Sequence, residues 1–232
     1  MDEPSEGWAG QSRIFTELTC DQRQAVLAAG TPRRLGRRAV LERQGDPART
    51  FYLVEAGYLK LSQVTAAGNE VVVRFVGPGE PYGGVVVLDQ ETYPVTAQAV
   101  ESVTALGWSR EVMRRLVDDV PQLRMNIMAE ITRHMRDALQ RVQQLQTTRV
   151  PQRLAATLLV LAQPVGRTLR IAHPITRQEL AEMTGATLFT ISRTLAEWEQ
   201  RGLVATVSSR IHLLQPARLE HLAEDPDAGG AG

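Results

Sequence analysis

One cysteine, one lysine and 5% aromatic residues are what this 232-residue sequence has little of, and each scarcity narrows its function. With Cys20 alone there is no internal disulfide, no Cys-x-x-Cys pair and no set of four thiolates for an iron-sulfur cluster. A cytoplasmic protein fits such a composition. No run of about 18 apolar residues occurs, and the opening MDEPSEGWAGQSR is acidic where a secretory leader is basic and then apolar, so no membrane partner is expected. The four histidines are 134, 173, 212 and 221, and none falls between residues 37 and 108. A cupin-like metal enzyme, whose barrel needs inward His and carboxylate ligands, is disfavoured. No G-x-S-x-G, P-loop or H-E-x-x-H pattern is present, and no catalytic or metal-binding residue is assigned.

The net charge is zero but unevenly spread. From Arg149 to His221 there are nine arginines against five glutamates and no aspartate, a local balance of +4. An anionic partner for this part of the chain is one implication. Solvated surface arginine is the other, because Lys60 is the only lysine and arginine is the default cation here.

Along the chain, residues 1–12 and 224–232 are small and polar and are expected to be loose ends. Ile14, Leu18, Val26 and Leu27 suggest short helices packed on a rim. Between Arg37 and Trp108, stretches such as FYLVEAGYLKLSQV and NEVVVRFVGPGE alternate partially and are broken by Gly45-Asp46-Pro47, Gly57 and Gly77-Pro78-Gly79, which predicts short strands in a small barrel or sandwich. Beyond a short helix ending near Pro121 the period lengthens. Met128, Ile131, Met135, Ala138, Val142 and Leu145 recur at alternating spacings of three and four, a heptad seam flanked by Arg124, Arg133, Arg136 and Arg141. Residues 121–148 therefore read as a helix of roughly 40 Å, self-paired in a homodimer or laid on its own domain's core.

ITRQELAEMTGATLFTISRTLAEWEQRGLV, residues 175–204, carries two helix starts. Thr176 and Glu179 form a capping-box pattern, Gly185 suits a tight turn, and Thr187 caps a second helix whose Ile191, Leu195 and Trp198 face inward. That leaves Thr187, Leu188, Phe189, Thr190, Ser192 and Arg193 at the outer, N-terminal end of the second helix. In a helix-turn-helix this end reaches base edges in a major groove, and Arg193 carries the fork that fits guanine O6 and N7. LVATVSSRIHLLQP then reads as two strands, a wing carrying Arg210 as a candidate phosphate contact. Two other readings stand beside this one: Phe189 tucked under the wing, and a dimeric adaptor that uses the winged segment to bind protein.

ITRQELAEMTG and TISRTLAEWEQRGLV, with GYLKL, GPGE and YPVTAQAVESV upstream, resemble the CRP/FNR family of bacterial transcription regulators over about residues 14–222. The resemblance implies an α+β chain: an antiparallel β-roll of the jelly-roll type over 14–120 that senses an effector, a dimerisation helix over 121–148, and a winged helix-turn-helix over 149–222. It further implies a homodimer on an inverted-repeat operator of double-stranded DNA, with RNA polymerase as a partner.

Two departures carry information. Cyclic-AMP-binding members keep a Gly-Glu pair for the ribose and an Arg-Ser pair for the phosphate. Here Gly83-Gly84 and Tyr93-Pro94 stand in their place, so cyclic AMP is disfavoured. The candidate effector pocket comprises Tyr82, Gly83, Gly84, Tyr93 and Thr96. Val85, Val86, Val87 and Leu88 would either wall an apolar or planar ligand or fill the roll's own core. In the reading helix, Phe189 replaces the glutamate of Glu-x-x-Ser-Arg found in oxygen- and nitric-oxide-responsive members, while Ser192 and Arg193 are kept. The effector stays open. An iron-sulfur cluster lacks ligands; haem or a redox-responsive thiol would leave a regulator of the same family, but the roll offers haem no histidine. Cys20 reads first as a small buried hydrophobe.

Overall fold

The computed structural model describes residues 6–84, 91–166 and 168–224. Contacts divide the chain into two compact units with the boundary between Asp137 and Ala138, the strand residues Glu70–Val72 grouping with the second.

In the first unit, two four-stranded antiparallel sheets make the roll. One runs β1 (Thr31–Leu35), β8 (Val103–Ser109), β3 (Thr50–Ala56), β6 (Pro81–Tyr82); the other runs β2 (Val40–Glu42), β7 (Thr96–Ala99), β4 (Leu59–Val64), β5 (Glu70–Val76). The central strands β3 and β8 are buried along most of their length, so their apolar runs are near-continuous, whereas β1 at the sheet edge is almost wholly exposed. Phe51 and Trp108 meet across this pair at 6.1 Å, and the indole N–H of Trp108 donates to the Val26 carbonyl at 2.8 Å. That bond satisfies a buried donor and ties the sheet to α2 (Cys20–Ala28).

Thr19 and Gln22 form a capping box on α2. Ile14, Leu18 and Val26 are buried, as their spacing suggests, with Leu27 packed at the margin. Cys20 is exposed in the first turn of α2, contrary to the buried reading, because the helix turns Val26 to the core instead. The N-terminal stretch also departs from expectation. Glu6–Gln11 form a helix, α1, with Ala9 buried, because Trp8 and Ala9 find the roll's core.

After α3 (Arg110–Asp119), α4 (Pro121–Thr147) carries the chain into the second unit. Its Leu123 and Ile127 are buried in the roll's core, and the Asn126 amide donates to the Ile14 and Thr16 carbonyls at 2.9 and 2.7 Å. Leu123, Ile127, Ile131 and His134 share a face by helical period, and Ile131 packs on the core. Ile131 is therefore not free for the seam assigned from sequence. The large apolar residues of α4 left exposed are Met125, Met128, Met135, Leu139, Val142 and Leu145, and the small Ala138 is exposed as well. From Met125 to Val142 the large ones form a stripe that takes Thr132 and Leu139 where the sequence reading took Ile131 and Ala138.

The second unit holds α5 (Val150–Leu161), α6 (Arg177–Thr184), α7 (Leu188–Gln200), α8 (Pro216–Glu224) and a four-stranded antiparallel sheet in the order β11 (Val204–Val207), β12 (Arg210–Leu213), β10 (Thr168–Ile171), β9 (Ala162–Val165). The wing is thus twice the two strands read from LVATVSSRIHLLQP. The β9–β10 hairpin escaped because AQPV contains a proline and is exposed at an edge. Among the described residues no helix is long and apolar enough to cross a membrane.

Candidate functional site

The α6–α7 pair is built by local signals. The Thr176 hydroxyl accepts from the Glu179 N–H, and the Glu179 carboxylate accepts from the Thr176 N–H at 2.8 Å. Gly185 ends α6 in the left-handed region, φ 61° and ψ 39°, and a Cβ there would stand 2.9 Å from Leu145 Cδ2. Thr187 caps α7, accepting from the Thr190 N–H, and the two threonine hydroxyls bond each other at 2.9 Å. Those hydroxyls are thereby committed to the helix start.

Ile191, Leu195 and Trp198 are buried, which fixes the rotation of α7. Leu188, Phe189 and Arg193 consequently face solvent, with Ser192 half-buried beside them. Phe189 is 74% exposed, so it does not lie under the wing. It stands one helical turn from Arg193, whose guanidinium carbon sits 5.9 Å from the ring centroid. This cation–π contact limits the arginine's motion while leaving its donor edge open, and among the described residues Arg193 forms no ion pair.

Arg210 is held at the Nε of its guanidinium. Its Nε donates to the Ala172 carbonyl at 2.9 Å, the side chain is half-buried, and the left-handed Ser208 and Ser209 make the wing's turn beside it. The Ser209 carbonyl accepts from the Ile175 N–H, so Arg210 and this turn moor the wing to the loop before α6. His173, buried in that loop, has its pKa pushed down by burial.

In the first unit a cavity of about 250 Å³ opens within the roll. Phe51, Leu61, Tyr82, Tyr93, Val95 and Ile127 supply apolar wall; Gly83, Gly84 and Ile131 also line it. Tyr52, Tyr82 and Tyr93 stack in series, with centroids 6.2 and 5.5 Å apart. Their hydroxyls are spent inside the roll: Tyr52 donates to Glu42, Tyr82 to the Val95 carbonyl and Tyr93 to the Thr50 carbonyl. Burial pushes all three phenols up, Tyr93 to about 12, so they present neutral ring surface at neutral pH.

Of the sequence-assigned pocket, Tyr82, Gly83, Gly84 and Tyr93 do line the cavity. Thr96 does not; in β7 its hydroxyl accepts from the Gln44 N–H. Val85, Val86, Val87 and Leu88 lie outside the described residues. Gly83, at φ 83°, would bring a Cβ to 2.8 Å from the Thr50 carbonyl, and at Gly84 a Cβ would lie 3.3 Å from Ile131. Ile131 therefore crowds the position where the cyclic-AMP-binding pattern places its acid.

Three charged or titratable residues of this cavity, Arg74, Glu130 and His134, escaped the sequence reading, which left it without a cation or a histidine. Arg74, from β5, lines it with only long contacts among the described residues, 3.4 Å to the Pro81 carbonyl and 3.9 Å to Glu80. His134, from α4, lines it with a buried Nε2 that no hydrogen-bond partner meets among the described residues. Burial first, and then the charges of Arg74 and Arg133, push its pKa down to about 4. Glu130 lies 3.8 Å from that nitrogen but is itself paired with Arg133. Signals for Arg74 and His134 existed: an arginine at period two with Val72 and Val76, and a histidine three and seven residues beyond Ile131 and Ile127.

Comparison with known proteins joins the two units. The cyclic nucleotide-binding domain matches residues 32–119, and the Crp-like helix-turn-helix domain matches 152–222. The transcriptional activator protein anr of Pseudomonas aeruginosa is 31% identical, over 88% of this chain and 84% of its own. The chain belongs to the CRP/FNR family. This CRP/FNR regulator is also 30% identical to a cyclic AMP receptor protein of Thermus thermophilus, over 78% of this chain and 82% of that one. Among solved structures, FixK2 from Bradyrhizobium japonicum shares its fold at a TM-score of 0.75 and 20% identity, covering 84% of this chain and 98% of that chain. A CRP-family regulator from Thermus thermophilus matches at 0.69 and 26%, covering 83% and 97%. The chain is thus a transcription regulator of CRP/FNR type with a helix-turn-helix and a cyclic nucleotide-binding-like domain. Among the described residues no group of three or more His, Cys, Asp or Glu could hold a metal ion.

Proposed function

We propose that this regulator works as a cytoplasmic homodimer that reads an inverted repeat through α7 and contacts RNA polymerase from the bound operator. The observation that carries this reading is the exposed, cation–π-paired Arg193 beside Phe189 at the N-terminal end of a capped and buried-faced helix. Arg193 reads a guanine with its fork, and Phe189 packs on a neighbouring thymine methyl where a glutamate would accept from cytosine. Phosphates are met by the first-turn N–H groups of α7, by Ser192 and by the positive surface of the second unit. Arg210 is left to hold the wing.

The dimer seam is the exposed stripe Met125, Met128, Met135, Leu139 and Val142 rather than the register containing Ile131 and Ala138. Met135→Glu and Leu139→Glu should each give monomers in sedimentation, and Ala138→Glu should be tolerated. Cyclic AMP is not the effector proposed, because Gly84 offers no ribose acceptor and Ile131 abuts it.

Gel-shift titration tests the DNA reading. Two α7 helices should engage half-sites one turn apart, about 34 Å. Arg193→Ala should cost roughly 1–3 kcal/mol on the selected operator and erase the preference for its guanine. Selectivity that survives this change would place another face of α7 in the groove.

A further inference from the structure

We propose that the roll's cavity binds a small carboxylic acid with a single-ring or branched apolar body, its carboxylate meeting Arg74 and His134 and its body lying over Tyr82 and Tyr93. The assignment of this acid as an effector rests on the regulator reading above; the binding itself does not.

Size comes first. A cavity of about 250 Å³ corresponds to roughly eight waters at ~30 Å³ each, below the usual range for drug-sized ligands. One ring or a branched aliphatic chain fits that space. Against a cyclic nucleotide stands chemistry rather than volume: Gly84 offers no acceptor for a ribose, and a side chain built there would meet Ile131 at 3.3 Å.

The chemistry of the wall is divided. On one side stand Phe51, Leu61, Tyr82, Tyr93 and Val95, with both tyrosine hydroxyls turned into backbone carbonyls. That side recognises apolar or planar surface and has no donor to spare. The wall's polar lining is Arg74, weakly engaged at 3.4 and 3.9 Å, the buried Glu130, already paired with Arg133, and His134, whose buried Nε2 meets no hydrogen-bond partner among the described residues. An unpaired buried imidazole nitrogen and an under-used guanidinium, on two residues that line one cavity, are costly unless something accepts from them. A carboxylate accepts from both and matches the planar fork of arginine.

Charge balance sharpens the choice. The ionic groups around His134 are Arg74 from β5, Glu80 from the turn after it, and Glu130, Arg133 and Asp137 from α4; Tyr82 and Tyr93 face it as neutral rings. Arg133 pairs with Glu130, and Arg74 approaches Glu80. An arriving carboxylate adds one negative charge that this set does not neutralise. A neutral His134 does so by taking one proton from solvent, becoming the imidazolium donor to the bound oxygen. Binding of the acid is therefore linked to uptake of a proton. No covalent bond is made or broken.

Titration calorimetry of the full chain at pH 7 with benzoate, phenylacetate and isovalerate tests this, with benzamide and cyclic AMP as controls. At least one acid should give saturable heat, with benzamide at least tenfold weaker. The heat should change with the buffer's ionisation enthalpy by an amount equivalent to about one proton taken up. Arg74→Gln should weaken binding at least tenfold while Arg74→Lys retains part of it, and His134→Gln should abolish the proton uptake, each variant first being checked for an unchanged far-ultraviolet circular dichroism spectrum. Should Arg74→Gln fail to fold, the acid-against-amide ratio and the buffer dependence of the unaltered protein still decide. The absence of saturable heat from all three acids, equal binding of acid and amide, or heat independent of buffer would each overturn the proposal. Repeating the operator gel shift with the bound acid is a separate arm. Acid binding without any change in DNA affinity would retain the site and refute its effector role alone.

Discussion

Arg193 and Phe189 lie four residues apart on one helix, both turned to solvent, whereas Arg74, Tyr82, Tyr93 and His134 come from two strands, a loop and a helix and meet around a buried cavity. The first arrangement needs only a correctly rotated helix. The second needs the whole roll to close. In water an exposed guanidinium carries little energetic penalty, so the outer face of α7 is free to vary residue by residue. In the cavity each polar atom has been stripped of solvent, so an unpartnered Nε2 or a long arginine contact carries information about what is missing.

The largest expected effect tests whether α7 is held as simply as this contrast says. Trp198→Ala removes a fully buried indole from beneath the reading helix and should cost about 3–5 kcal/mol in denaturant unfolding. A loss below about 1 kcal/mol would mean that something other than this side chain sets the rotation of α7.

Next in size is a pH effect. Solvent-exposed histidine takes its proton near pH 6.5, but His134 in the folded roll does not do so until about pH 4. Between these values the unfolded chain binds more protons than the folded one, so the contribution is fully present above about pH 6.5 and is lost as the pH falls toward 4, by less than the full shift implies because 26% of the side chain stays exposed. Chemical unfolding at a series of pH values should show this decline, and His134→Gln should flatten most of it. A residual slope is expected from His173, whose pKa is also depressed by burial. An unchanged pH profile in His134→Gln would remove the buried, neutral imidazole from the account.

Smaller again, Thr176→Ala deletes the hydroxyl half of the α6 capping box and should lower stability by about 1 kcal/mol, with Thr176→Asp recovering most of it. Smallest is Phe189→Ala. Its ring is exposed, so thermal stability should hold within about 0.5 kcal/mol. Operator affinity should fall by roughly 0.5–1 kcal/mol through loss of the cation–π contact, together with the preference at the neighbouring base pair. A large loss of stability would return Phe189 to a packing role.

Legibility followed the range of the interactions. The cap at Thr176, the turn at Gly185, the cap at Thr187 and the inward Ile191–Leu195–Trp198 face were readable because each depends on residues within one or two helical turns. The β9–β10 hairpin was not, since a proline-containing edge strand lacks alternation. On α4 the heptad spacing was legible but its register was not. Two stripes of the same spacing share Met128, Met135 and Val142 and part at 131 against 132 and at 138 against 139, and the packing of Ile131 on the roll tells them apart.

Sequence pattern was enough for the helix-turn-helix and for which side chains of α7 stay exposed, because caps, turns and hydrophobic period act locally along the chain. The tertiary structure alone decided that Arg74 and His134 share a cavity, that Ile131 turns inward and crowds Gly84, and that Arg210 moors the wing. Each of these is settled by what stands across from the side chain, contributed by an element remote in sequence, and no local pattern records that neighbour.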